Sequence, residues 1–222
     1  MIRLWTILGF RNVWRNPRRS LLTALIIAVG VSSLMLTDGF IAGMLKTLVD
    51  TQTQIWMGHA QIHNPKYTDS YELEHTIENQ NEIISKLKQT TSIKNFSKRV
   101  YQLGVIASSY NSLRVQISGV ELENEKHTSK LNEAIVSGNI KDKLSKNEII
   151  LGKKLAELLE VDLDDKIVLT FNKKNSSDIS QHMFRVKALA NFNARILDKN
   201  FAFINLQQAQ ELFALDDNFH EI

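Results

Sequence analysis

The feature that most constrains this chain is an apolar stretch from Ser20 to Thr37 that contains no charged residue. At about 1.5 Å of rise per residue, a helix of this length is about as long as the hydrocarbon core of a bilayer requires. No polar face recurs in it at helical spacing, so it is not typical of a buried helix in a soluble protein. We interpret the stretch as a membrane span.

The charges on either side of the span predict its direction. Five arginines and no acidic residue precede it, and the first carboxylate, Asp38, follows it directly. By the positive-inside rule the amino terminus is cytoplasmic and the rest of the chain lies outside the cytoplasm. The alternative is a cleaved signal peptide, but the arginine-rich segment is long for one and no small-x-small cleavage site follows. The arginines that we expect to set the orientation are Arg11, Arg15, Arg18 and Arg19.

Three segments follow from this reading. Residues 1–16 mix tryptophan and phenylalanine with arginine, which predicts a cytoplasmic helix at the membrane surface. Asn16-Pro17 breaks the chain before the span, because proline disfavours helix in the residue preceding it. Residues 17–55 are predicted to form a transmembrane helix that extends out of the membrane, and residues 56–222 an extracytoplasmic domain.

Small residues recur along the span. Ala24, Ala28 and Ser32 are spaced by four residues, and Gly39 with Gly43 repeats the spacing. Such a row lets a second helix approach closely. Because small residues are common in membrane spans, chance explains the row equally well.

The charge balance argues against a nucleic-acid partner. The formal net charge is +3, but five of the 27 basic residues precede the span, which leaves 22 basic against 24 acidic residues after it. The basic character therefore belongs to the membrane anchor, where it can contact anionic lipid. The chain has no cysteine, which excludes disulfides, thiolate metal sites and a cysteine nucleophile.

After Gly58 the hydrophobic pattern changes, and stretches that alternate like strands are interleaved with stretches that have helical spacing. A helix is expected over Ile77–Leu87, and Asn205 is expected to cap a helix over Leu206–Phe213. Interleaved strands and helices without long regular βα units indicate an α+β domain. The expected strands are His59–His63, Arg99–Ser108, Leu113–Val120, Glu148–Leu151, Lys166–Phe171, Met183–Ala190 and Phe201–Ile204, with a helix after Gly152 and a polar loop over Asn172–Gln181.

The chain shows no catalytic, metal or cofactor motif. Gly152-Lys153-Lys154 lacks the remaining residues of a nucleotide-binding loop, and neither a GxSxG elbow nor an HExxH pair occurs. On a strand, His59 and His63 would lie about 13 Å apart, too far to share a metal ion. Asp162, Asp164 and Asp165 lack the glycine and closing glutamate of a calcium loop and indicate a turn. We therefore expect a protein that binds or transmits rather than an enzyme, with no metal and no cofactor.

Several runs together resemble a known family. They are Arg11–Thr23 (RNVWRNPRRSLLT), Asp38-Gly39, Gly58–His63 (GHAQIH), Ile149–Ala156 (IILGKKLA), Asp165–Leu169 (DKIVL) and Phe201–Gln210 (FAFINLQQAQ). In this order after one span, they resemble ABC-transporter permeases of the lipoprotein-release type, a group that includes macrolide-exporter and FtsX-like permeases.

The resemblance implies a four-span permease subunit whose first span is followed by a large α+β, MacB-like periplasmic core domain. The chain stops where a second span is expected, so it resembles the amino-terminal part of a longer permease. The implied partners are a separate ABC ATP-binding subunit, a second identical or different permease subunit, membrane lipid, and a lipoprotein or hydrophobic substrate.

Two departures from the family pattern stand out. The family usually has Gly-Asp where this chain has Asp164-Asp165, a difference within a turn. The hairpin segment 172–181, through which some relatives dock a lipoprotein chaperone, is short and polar here, which argues against chaperone docking at this point.

Two functional hypotheses from different classes therefore stand. In the first, an ATPase closes on the cytoplasmic side and the long first helix relays that motion to the outer domain, which extracts or exports the substrate. In the second, the chain is a single-span anchored periplasmic scaffold without a transport role. An anchored hydrolase is disfavoured because no nucleophile-base pair is evident.

Overall fold

The computed structural model describes residues 9–11, 13–70, 73–140, 143–174 and 179–222, with backbone alone for 49–54 and 68–70. The predicted interfacial helix over residues 1–16 falls largely outside the described residues and stays a prediction. The chain divides into two compact units, Met1–Thr51 and Gln52–Ile222. The sequence put the corresponding domain boundary a few residues later, between 55 and 56.

The first unit is dominated by helix α1, Pro17–Gln52, of 36 residues. A bend at Asn16 precedes it, and its first turn is closed by the bond that the Ser20 amide donates to the Asn16 carbonyl over 3.1 Å. Proline suits the first helical position because its missing N–H has no partner there. By length and composition, residues Pro17–Leu48 of α1 can cross a membrane.

The second unit begins with a π-helical turn, Thr53–Met57, and continues as a mixed domain. Six short helices follow: α2 Pro65–Ser70, α3 Gln80–Gln89, α4 Leu122–Thr128, α5 Lys153–Leu159, α6 Arg195–Asn200 and α7 Leu206–Phe213. Its strands are β1 Arg99–Ala107, β2 Ser112–Val120, β3 Ile135–Gly138, β4 Glu148–Gly152, β5 Lys166–Asn172, β6 Ile179–Ala190 and β7 Phe201–Asn205.

The strands form one sheet that closes on itself. Their order is β3-β6-β4-β7-β2-β1-β5, and β5 pairs back onto β6. The long β6 makes the closure, because residues 179–185 pair with β5 and residues 185–190 pair with β4. The β2–β7 and β4–β6 pairs are parallel and the others antiparallel. The predicted α+β class is confirmed.

Alternate residues of the central strands feed two different apolar clusters. Ile149 and Leu151 of β4 belong to a cluster that also holds Leu155 of α5 and Phe213 of α7. Ile150, between them, belongs to the second cluster with Trp56, Tyr101, Leu131 and Phe203. Strands buried on both faces read as continuous apolar runs, which explains the sequences of β4 and β7.

Most of the predicted elements of the second unit are present. The β1–β2 hairpin, β4, α5, β5, β7 and α7 lie within two residues of their predicted positions. The Asn205 side chain accepts a hydrogen bond from the Gln208 amide at 3.2 Å, as expected of the cap of α7. Helix α3 begins at Gln80, three residues later than expected, and β6 begins at Ile179, inside the predicted loop.

The strand predicted over His59–His63 is wrong. Only His63 forms a bridge, with Glu221, and the preceding residues have no regular structure. Alternation of polar and apolar residues does not by itself produce a strand here, because among the described residues this segment pairs only with the few carboxyl-terminal ones. The sequence also missed α2, α4, β3 and α6, each of seven residues or fewer.

The structure explains the departure at Asp164. This residue has φ of 66°, in the left-handed region that glycine adopts at low cost and aspartate tolerates better than most residues. Its amide donates to the Val186 carbonyl at 2.8 Å, and its carbonyl accepts from Arg185 Nη1 at 2.8 Å. The turn is thus held to β6, and aspartate keeps the backbone shape that the family usually obtains with glycine.

Gly152 has a packing role instead of a phosphate-binding one. A Cβ atom at this position would lie 2.4 Å from the carbonyl oxygen of Asp198 in α6. Helix α6 therefore lies against the start of α5 at a distance that only glycine permits. This contact accounts for the glycine of the IILGKKLA run without any nucleotide.

Candidate functional site

A buried arginine lies at the start of β1 and joins distant parts of the second unit. Arg99 is 4% exposed, and its guanidinium donates to acceptors on three separate residues. Nη1 donates to the backbone carbonyl of Trp56 at 2.6 Å and to Glu221 Oε1 at 3.1 Å. Nε and Nη2 donate to the two carboxylate oxygens of Glu125 at 2.8 and 3.0 Å. Paired, charge-assisted bonds of this kind are among the strongest that proteins form.

Glu125, in α4, is fully buried, and both of its carboxylate oxygens accept hydrogen bonds. Besides Arg99, the Ser97 hydroxyl donates to Oε1 at 2.8 Å and the Ser129 hydroxyl to Oε2 at 2.5 Å. Four donors to one buried carboxylate replace the hydrogen bonds to water that it loses on burial.

Glu221, the second-to-last residue of the sequence shown, is held by both its backbone and its side chain. The Arg99 amide donates to the Glu221 carbonyl at 2.9 Å, and the Glu221 amide donates back to Arg99 at 3.2 Å. The Tyr101 hydroxyl donates to the Glu221 carboxylate at 3.1 Å. Burial raises the pKa of Glu221, although Arg99 and Tyr101 oppose the shift, and burial together with the Glu221 charge raises the pKa of Tyr101.

Trp56 covers the guanidinium. Its ring lies 4.0 Å from the Arg99 guanidinium carbon, within cation–π range, and packs edge-on against Phe203 with centroids 5.0 Å apart. Trp56 lies in the π turn that directly follows α1. We call Trp56, Arg99, Tyr101, Glu125 and Glu221 the junction cluster, because they fasten the start of the second unit to its interior.

His220 adds a second buried polar contact beside the junction cluster. The Tyr101 amide donates to Nδ1 at 3.1 Å, and Nε2 lies 3.0 Å from the Leu73 carbonyl. One nitrogen accepts and the other donates, which is the pattern of a neutral ring. Burial lowers the pKa of His220 to about 4, and the ring stacks on Tyr67 with centroids 4.8 Å apart.

The segment that follows the π turn lies beside the carboxyl-terminal residues. The Ile62 amide donates to the Ile222 carbonyl at 3.0 Å, and the Ile222 amide donates to the Ile62 carbonyl at 3.1 Å. His63 and Arg99 each form a bridge with Glu221. The segment after α1 and the carboxyl-terminal residues are therefore joined to each other and to β1.

The sequence-predicted site residues lie in the first unit. Arg11, Arg15, Arg18 and Arg19 are all exposed, two of them in the first turn of α1. They stay predictions as orientation residues.

The five predicted packing residues Ala24, Ala28, Ser32, Gly39 and Gly43 are exposed on α1. On an ideal helix they fall within an arc of about 100°. A Cβ atom on Gly39 or Gly43 would meet nothing within 4 Å among the described residues. Their packing role also stays a prediction.

The sequence did not single out any member of the junction cluster. Arg99 opens a strand that was predicted correctly, but its partners come from α4, from the π turn and from the carboxyl-terminal residues. The one available signal was a charged residue directly before the apolar run of β1. Within the described part of the chain, no group of three His, Asp or Glu side chains could hold a metal ion.

Comparisons with known proteins agree with this architecture. The family model of the MacB-like periplasmic core domain matches residues 20–221. The chain belongs to this family. It is therefore the periplasmic domain region of a MacB/FtsX-like ABC-transporter permease, and its family membership and apolar α1 indicate an inner-membrane protein with a domain outside the cytoplasm. A search of curated proteins finds no match.

Two solved structures are similar to this chain. One is the extracellular domain of the noncanonic ABC-type transporter YknZ from Gram-positive bacteria, with a TM-score of 0.49, 11% identity, and coverage of 72% of this chain and 79% of that one. The other is the periplasmic region of MacB from Actinobacillus actinomycetemcomitans, with a TM-score of 0.48, 9% identity, and coverage of 72% and 70%.

Replacing Arg99 is expected to destabilise the second unit strongly. Arg99→Met leaves the buried carboxylates of Glu125 and Glu221 unpaired, so the free energy of unfolding should fall by about 3–5 kcal/mol. Arg99→Lys keeps the charge but loses the paired geometry, so its free energy of unfolding should lie between those of the parent chain and Arg99→Met. Urea unfolding of the full chain in detergent, followed by circular dichroism, measures the change.

Lys98→Met is the matched control, because Lys98 makes a partly exposed pair with Glu121 at 3.9 Å and lies 5.8 Å from the Phe219 ring centroid, a contact that methionine can keep as an apolar one. Its effect should stay below about 1 kcal/mol. Equal destabilisation by Arg99→Met and Lys98→Met would contradict the proposed importance of the cluster.

The buried histidine is expected to make stability fall in acid. The unfolded chain binds a proton at His220 near pH 6.5, whereas the folded domain binds it only near pH 4. The contribution of His220 to the free energy of unfolding is therefore complete above pH 6.5 and is lost as the pH falls to 4. The loss amounts to about 3 kcal/mol. The raised pKa of Glu221 acts in the opposite direction, so the comparison must be made between variants.

We expect His220→Gln to lose most of the pH dependence that the parent chain shows between pH 6.5 and 4. His127→Gln, which alters an exposed histidine, should keep it. Urea midpoints measured across this range give the slopes. Identical slopes for the parent chain and His220→Gln would mean that His220 is not buried in its neutral form.

Proposed function

We propose that the chain is the amino-terminal part of a permease subunit of the lipoprotein-release type. In this proposal a separate ABC ATP-binding subunit hydrolyses ATP, and a second permease subunit completes the membrane part. The periplasmic domain changes its pose and moves a lipidated or hydrophobic substrate out of the membrane. Membership in the MacB-like family and the apolar α1 support the proposal.

The observation that carries the transmission step is the bond between Arg99 and the backbone carbonyl of Trp56. Trp56 lies four residues beyond the last residue of α1. Motion of the segment after α1 is therefore resisted by a buried, charge-assisted contact rather than by a flexible linker. The same guanidinium holds α4 through Glu125 and the carboxyl-terminal residues through Glu221. A displacement at Trp56 is thereby passed to β1, α4 and the carboxyl-terminal residues together.

The membrane arrangement belongs to the same proposal. Residues 1–16 lie at the cytoplasmic surface, residues 17–55 cross the membrane and extend beyond it, and residues 56–222 form the periplasmic domain. The arginines at 11, 15, 18 and 19 keep the amino terminus in the cytoplasm. The face of Ala24, Ala28, Ser32, Gly39 and Gly43 packs against another membrane helix.

Co-purification of the complete subunit tests the transport role. A tag on the amino terminus of the full-length gene product, expressed in its native host, should recover an ABC ATP-binding subunit. Recovery should persist in Lys98→Met, which leaves the junction cluster intact. Repeated recovery of no ATP-binding subunit would favour the membrane-anchored scaffold instead.

Reporter fusions test the orientation separately. Alkaline phosphatase fused after Ile222 should be active, and green fluorescent protein at the same position should be dark, because the former folds only outside the cytoplasm. The opposite pattern would reverse the assignment of Arg11, Arg15, Arg18 and Arg19.

A further inference from the structure

A groove of about 740 Å³ opens beside the junction cluster, within the second unit. Its walls come from Met57–Ile62, Ser92–Ser97 and Lys126–Lys130, and Ile222 closes one end. Arg99 and Glu221 of the junction cluster also line it. The groove has the size of a small-molecule site, and neither the transmission step nor the family match assigns it a role.

Much of the groove lining is apolar. Met57 is 55% exposed, and Ile62 and Ile93 are 38% and 37% exposed. Leu87, Phe96 and Ile222 contribute further apolar surface to the lining. Apolar side chains gathered in one concave surface, rather than scattered singly, indicate a binding site for an apolar group.

The rest of the rim is predominantly basic. Lys94, Lys126, His127 and Lys130 line it, and Glu133 is the acidic residue of the lining that is not bound to Arg99. No carboxylate of the described residues lies within ion-pair distance of the Lys94 or Lys130 ammonium group. A largely apolar lining with Lys94 and Lys130 outside any ion pair among the described residues complements an amphiphile whose polar end is anionic.

The chain keeps the groove near a membrane. Met57 on the groove wall lies nine positions after Leu48, the last residue of the apolar part of α1. Even fully extended, nine residues span no more than about 30 Å. The groove therefore stays within that distance of the end of the apolar part of α1, and each lysine near an anionic surface contributes about 1 kcal/mol of attraction.

We propose that the groove binds an anionic phospholipid of that membrane. The phosphate lies against Lys94 and Lys130, and the glycerol and upper acyl carbons lie against Met57 and Ile93. Because the groove shares Arg99 and Glu221 with the junction cluster, a bound lipid also stabilises the contact that holds Trp56. The inference rests on α1 lying in a membrane, as the proposed function requires, but not on transport.

Site-specific photo-crosslinking tests it in the full chain, reconstituted in nanodiscs of phosphatidylcholine with or without phosphatidylglycerol. Benzoylphenylalanine in place of Ile93 should give an adduct with the mass of phosphatidylglycerol. The same probe in place of Leu103, which is 57% exposed outside the groove, should not. Lys94→Gln with Lys130→Gln should reduce the adduct at Ile93 at least several-fold.

The matched control is Lys153→Gln with Lys166→Gln, two exposed lysines away from the groove. This pair has the same change of charge and should leave the adduct unchanged, and thermal unfolding checks that both double variants are folded. Equal adducts with phosphatidylcholine, equal adducts at Leu103, or cross-links to a second copy of the chain would overturn the proposal. The nanodiscs contain no ATPase, so failure of the transport role leaves this test valid.

Discussion

The second unit depends on a single buried cation. Arg99 is almost fully buried, so its charge is tolerable only while Glu125, Glu221 and the Trp56 carbonyl stay in place. A buried ion pair gains little over an apolar packing of the same volume, but breaking one partner away is costly. The junction cluster is therefore better understood as a fastening than as a source of net stability. Separating the segment at Trp56, helix α4 or the carboxyl-terminal residues from Arg99 costs a large free energy.

The junction cluster is attached to a rigid element, the closed sheet. β1 carries Arg99 at its first residue and pairs along its length with β2, while its far end pairs with β5. Displacing Arg99 means displacing a strand in the middle of a closed ring. The cluster around Trp56 adds Phe203 of β7, so that backbone bonds, ion pairs and aromatic packing act on the same few residues. In the proposed function, such a joint would let the domain move as one body.

The sequence was sufficient for the parts of the fold that depend on local patterns. Helix α1 follows from an uninterrupted apolar run, the β1–β2 hairpin from two apolar runs around a short turn, and the cap of α7 from Asn205. Local patterns failed at His59–His63, where the alternation has no partner strand, and at the shortest helices, whose formation depends on tertiary packing. The turn at Asp164 was predicted from the neighbouring aspartates, but its left-handed backbone conformation was not.

The junction cluster could not be predicted from the sequence, because its contacts are non-local. Arg99 and Glu125 are 26 residues apart, and Arg99 and Glu221 are 122 residues apart. Each residue alone is typical of a charged surface position. Only the fold brings them together and removes the water between them. The groove beside them was missed for the same reason, since its three walls come from separate segments.

Native-state hydrogen exchange tests the fastening most directly. The amides of Ile62, Arg99, Glu221 and Ile222 all donate to partners across the junction. If the junction opens only when the domain unfolds, these amides should exchange with the same free energy as those in the centre of β2 and β7. Exchange at a free energy several kcal/mol lower, while β2 and β7 stay protected, would show that the junction opens on its own and would contradict its role as a rigid joint.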